Sequence, residues 1–78
     1  MQQLQLPPPR LMTVWRDPRG QVVATVSQGV AIVGGRPAAV YIAAIAGESQ
    51  QRKTFACAKR AIDTWAVRNN LRLTASAA

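Results

Sequence analysis

Residues 49–69, SQQRKTFACAKRAIDTWAVRN, constrain this chain more than any other stretch, because they hold no Pro or Gly and most of them favour or tolerate a helix. At roughly 100° per residue, Phe55, Ala58, Ile62, Trp65 and Ala66 share one arc, the spacing of a core-facing stripe. Arg52, Lys53, Lys59 and Arg60 gather on the neighbouring arc, with Asp63 among them. One helix is therefore expected to carry both the anchor of the fold and the densest positive charge. Ser49 reads as its N-cap, Glu48 sits where the helix dipole favours a negative charge, and the helix is expected to fray near Asn69 and Asn70.

That helix needs a surface to cover, and the preceding residues read as a sheet. Asp17, Pro18, Arg19 and Gly20 suit a type I turn, with Asp capping its start. Counting outward from this turn pairs Arg16 with Gln21, Trp15 with Val22, Thr13 with Ala24 and Leu11 with Val26. Leu11, Trp15, Val22, Ala24 and Val26 then share one face. Gly34 and Gly35 suit a type I′ hairpin turn, whose two central residues both need positive φ. Counting from there pairs Val30 with Ala39, Gln28 with Tyr41, Val26 with Ala43 and Ala24 with Ile45. Val30, Ile32, Tyr41 and Ile45 join the face that already holds Trp15. The two turns agree on a buried side, although a bulge at Gly29 would break the agreement.

The expected fold is thus α+β: a three-stranded antiparallel meander packed against one long C-terminal helix. A second reading remains open, a hairpin plus two helices, because residues 37–46 begin with Pro and are followed by Gly47. Against it, Arg36 is a poor N-cap, and Val40, Ile42 and Ile45 are β-branched. Residues 1–10, with prolines at 7, 8 and 9, are expected to form a flexible arm. Residues 11–70 form the single small domain and 71–78 a flexible tail without pattern.

The residue inventory excludes most chemistry. There is no histidine, a single cysteine at position 57, and only Asp17, Glu48 and Asp63 as acids. That leaves no histidine base, no zinc set, no paired-carboxylate site and no disulfide within the chain. The glycines make no phosphate-binding loop, since Gly34 and Gly35 run into Arg36 and Pro37. No enzymatic activity and no cofactor are expected. No apolar run is long enough to span a membrane, and the N-terminus lacks the pattern of a signal peptide, so the cytoplasm is the expected location.

What the chain does have is charge. Ten Lys and Arg against three acids leave a net charge of +7, which favours anionic partners. Arg52, Lys53, Lys59 and Arg60, extended by the turn residues Arg19 and Arg36, make up the candidate binding patch, because phosphate contacts need little beyond well-placed cations. Ser49, Ala56, Ala58, Ala61 and Ile62 resemble the rhythm of the final helix of double-stranded-RNA-binding domains. Gln50 and Gln51 stand where that family places a phosphate-binding lysine pair, and the proline-rich start leaves no place for its first helix. A helix-turn-helix centred on Gly47 fails because Glu48 and Lys53 fall where apolar residues belong.

On the sheet side turned away from the helix, Val14, Val23, Val40 and Ile42 would sit together and suit a homodimer interface. Two functions follow. The first is a small basic nucleic-acid-binding protein; the second is a protein-interaction module, such as a small inhibitor or adaptor of the kind phages and other mobile elements encode. The second would use the same cations against an acidic protein surface.

Overall fold

A computed structural model describes residues 7–78, so the first six residues of the expected arm lie outside the described residues. Strand β1 is Arg10–Arg16, β2 Val22–Val33, β3 Arg36–Ile45 and β4 Glu48–Arg52; helix α1 is Phe55–Arg68, and β5 is Thr74–Ala77. The strands form one antiparallel sheet in the order β4-β3-β2-β1-β5. Among the described residues the class is α+β with a single helix, but the sheet has five strands where the sequence predicts three. Residues 36–45 are extended, which removes the two-helix alternative. No helix among the described residues is long and apolar enough to cross a membrane.

The β2–β3 hairpin forms in the expected register. Gly34 and Gly35 take φ of 59° and 77°, and Val30, Gln28, Val26 and Ala24 face Ala39, Tyr41, Ala43 and Ile45, with no bulge at Gly29. The β1–β2 register slips. Asp17 Oδ1 accepts hydrogen bonds from the Arg19 and Gln21 amides at 2.9 and 3.0 Å, and the Asp17 amide donates to the Gln21 carbonyl. This closes a longer loop, over residues 17–21 in place of 17–20, so Arg16 meets Val22 and Trp15 meets Ala24 instead of Val22. A slip of two residues keeps each side chain on its face, so Trp15, Ala24 and Val26 still point together. Leu11 and Val22, expected inside, lie at irregularities or ends of the pairing and are each 47 % exposed.

The helix is shorter than its propensity implies. Ala46 and Gly47 both take positive φ, 49° and 86°, and reverse the chain in a two-residue turn. Residues 48–52 then pair with β3, so Ser49 faces Ala44 in a strand and caps nothing. The cap is Thr54, extended at φ −131° and ψ 154°, whose Oγ1 accepts from the Cys57 amide at 3.1 Å. At the other end Asn70 takes φ 54°; the Leu71 amide donates to the Ala66 carbonyl at 2.9 Å and the Asn70 amide to Val67 at 3.2 Å. This is a Schellman closure with Asn in place of Gly. It ends the helix sharply and sends Leu73 back to the core, after which Thr74–Ala77 pairs with β1 where a patternless tail is expected.

The core lies between α1 and one face of the sheet: Trp15, Ala24, Val26, Ala43 and Ile45 below, Ala58 and Ile62 above. Tyr41, Phe55, Trp65 and Leu73 close its margin, Tyr41 and Phe55 meeting edge to face at 6.1 Å. The expected stripe holds, with Ala58, Ile62 and Ala66 buried and Phe55 and Trp65 only partly so. Beyond Gln28 β2 has no β1 partner, and before Tyr41 β3 has no β4 partner. Among the described residues, 29–40 therefore extend the sheet as a two-stranded end without a further strand, and the extents are 49 × 20 × 19 Å. Pro37 is tolerated on that stretch because β4 does not reach it.

Two stability predictions follow from this geometry. Trp15, 2 % exposed and flanked in neighbouring strands by Ala24 and Ala75, is the largest core side chain. Trp15→Ala should cost about 3–5 kcal/mol in denaturant unfolding, a large part of what a small domain has. Ala46 occupies the left-handed region on an exposed turn, where Asn is far better tolerated. Ala46→Asn should raise stability by about 1 kcal/mol, seen as a higher denaturant midpoint at unchanged slope.

Candidate functional site

Pairing decides which β4 residues meet the helix. Tyr41, Ala43 and Ile45 point toward α1, so their partners Arg52, Gln50 and Glu48 stand on the same side of the sheet. Along α1, Cys57, Arg60, Ala61, Thr64 and Arg68 recur at spacings of three and four and form the flank that faces β4. Between this flank and β4 runs an open groove of about 460 Å³. Arg60 and Arg68 wall it from the helix, Arg52 and Gln50 from the strand, and Ala61 and Trp65 lie deeper. No acidic side chain lines it.

Two details give the groove its character. Arg52 is held along its strand, donating through Nη1 to the Gln51 carbonyl at 2.9 Å and through Nη2 to Gln50 Oε1. A guanidinium fixed in this way loses less freedom when it meets an anion. Trp65 is partly buried: it packs against the core cluster and also lines the groove, so its ring is both structural and accessible. Cys57, the only cysteine of the chain, is exposed at the rim.

The six cations of the expected patch do not come together. Because α1 begins at Phe55, Arg52 and Lys53 are not helical at all: Arg52 ends β4 and Lys53 lies in the link that follows. Arg60 faces the groove, whereas Lys59, one helical step away, belongs with Asp63 to the opposite flank. Arg19 lies in the β1–β2 turn and Arg36 at the start of β3, at opposite ends of the 12-residue β2. At about 3.3 Å per residue that strand keeps them roughly 40 Å apart. Arg68 and Gln50 line the groove but lie outside the expected patch. The helical phase of Arg68 with Arg60 is visible in the sequence, but Gln50 has no signal there, since its position depends on β4.

On the face turned away from α1, Val14 and Val40 are already buried, at 6 % and 8 % exposed, while Val23 and Ile42 are partly so. A side-chain carbon on Gly29 would stand 3.4 Å from Ile42 Cδ1 and 3.9 Å from Pro9 Cβ. Pro9 therefore lies against this face at Gly29, at a distance that a side-chain carbon would also tolerate.

With the geometry in place, comparison of the chain with protein-family models, with curated proteins and with solved structures found no match.

Proposed function

We propose that this protein works by binding, without catalysis, and that its partner is nucleic acid held through phosphate contacts in the groove between α1 and β4. The observation that carries the reading is the convergence of Arg52, Arg60 and Arg68 on one concavity that no carboxylate lines. Guanidinium groups suit phosphate because their planar fork of donors matches two phosphate oxygens at once. The net charge of +7 adds attraction at long range. An acidic protein surface is the competing partner, favoured by the open edge of β4, which offers unpaired backbone groups beside the same arginines.

A salt series separates the two. Nucleic-acid binding should weaken steeply on a log–log plot, while a specific protein partner would leave only weak retention on both heparin and DNA. The double change Arg60→Glu with Arg68→Glu alters only exposed side chains, so the unfolding midpoint should hardly move. It should flatten the salt slope by about two units, one for each lost phosphate contact. Lys59→Glu, on the other flank, should change the slope much less. Equal effects at Lys59 and Arg60 would mean that diffuse helix charge, and not the groove, does the binding.

The proposed homodimer rests on what the second face still offers, which is chiefly Ile42 and Val23, with Val33, 60 % exposed, on the same face of the hairpin end. Sedimentation at tens of micromolar should give twice the chain mass of 8.4 kDa, and Ile42→Lys should return it to one. A wild-type chain that sediments as a monomer at that concentration removes the dimer.

A further inference from the structure

We infer that the groove takes a single strand of nucleic acid, with a base stacked on Trp65, and does not take a duplex. This rests on the nucleic-acid reading above and narrows it. A duplex that admits a helix into its major groove, about 12 Å wide, meets that helix on both flanks. The flanks of α1 are unlike: the one facing β4 holds Arg60 and Arg68, whereas by helical phase the other holds Lys59 and the bare methyl of Ala56, with Asp63 on its side of the crest and sharing a shallow concavity with Thr64 and Arg68. A phosphate backbone along that second flank would meet a carboxylate. The cations are instead aimed into a concavity of about 460 Å³, a space that one strand can enter and a double helix cannot.

What lies inside is also suited to unpaired bases. Trp65 lines the groove with a ring braced from behind by the core, and every base has a face that stacks on an aromatic ring. Gln50 and Thr64 add polar groups that both donate and accept. Arg60 and Arg68, eight residues apart, are separated by roughly 12 Å along the helix axis, so they meet different phosphates of one strand while a base turns inward between them. Stacking with backbone contacts implies tolerance of sequence, because neither contact reads a base edge.

The molecule carries its own reporters. Trp15 is 2 % exposed, so quenching of tryptophan emission by a bound base reports Trp65. Cys57 is the one cysteine and lines the groove, so its reaction with a thiol reagent reports occupancy. Oligothymidylate added to the intact protein should quench the emission and protect Cys57, and a duplex of the same length should bind at least about tenfold more weakly, with neither signal. Trp65→Leu, which keeps an apolar side chain against the core, should lose the quenching and weaken oligothymidylate binding by about fivefold or more. A duplex that binds as tightly as the single strand, or a single strand that binds without quenching or protection, overturns this inference and leaves the nucleic-acid reading intact. Failure of both nucleic acids to bind at low salt overturns that reading as well. The wild-type quenching and protection decide the matter even if Trp65→Leu does not fold.

Discussion

The rest of the molecule depends on how closely α1 can approach the sheet. The contact surface is made of small residues around a few large ones: Ala58 on the helix and Ala24 and Ala43 on the sheet belong to one buried cluster, in which Trp15, Val26, Ile45 and Ile62 are the larger side chains. Small side chains at the crossing let dispersion contacts form over a short distance, and one large ring then closes the layer without a void. A domain of this size has few such contacts to spend, since little of its surface can be buried. Larger side chains at Ala43 or Ala58, both wholly buried, would lift the helix and open the core along its length.

The groove is a by-product of that packing. Once α1 lies over β2 and β3 with Ile62 inward, its helical phase sends Arg60, Thr64 and Arg68 toward one side. The edge strand β4 supplies the facing wall, and its pairing with β3 puts Gln50 and Arg52, not Gln51, on the helix side. Trp65 joins the two structures, bracing the margin of the core and furnishing the groove with an aromatic surface. The cationic site and the hydrophobic core therefore share one helix and one ring, so a shift of α1 would disturb both.

The elongated shape follows from strand lengths. β2 and β3 have 12 and 10 residues, whereas β1, β4 and β5 have 7, 5 and 4. Among the described residues, the helix and the short strands cover one end of the long hairpin and pair with neither edge of the other end. This separates the arginines of the two turns, and it leaves apolar residues such as Ile32 and Val33 in solvent. Gly29 marks the boundary, where Pro9 of the arm lies against the uncovered face.

Local chemistry in the chain was enough to determine the central hairpin and the helix stripe. Gly34 and Gly35 admit positive φ where other residues resist it, and that sets the pairing of β2 with β3 residue for residue. The period of Ala58, Ile62 and Ala66 is a property of any helix drawn through them. β4 and β5 were decided only by the tertiary structure. Their side chains are all exposed, so they bear no apolar alternation, and the backbone groups that hold them bond to neighbours that must already be in place. The turn that creates β4 needs Ala46 in a conformation that costs an L-residue energy, which no local reading favours. By propensity Arg52 belongs to the helix; by pairing it belongs to β4. Only the pairing sets it across the groove from Arg60 and Arg68, because a strand held to β3 can face the helix and a helical extension cannot.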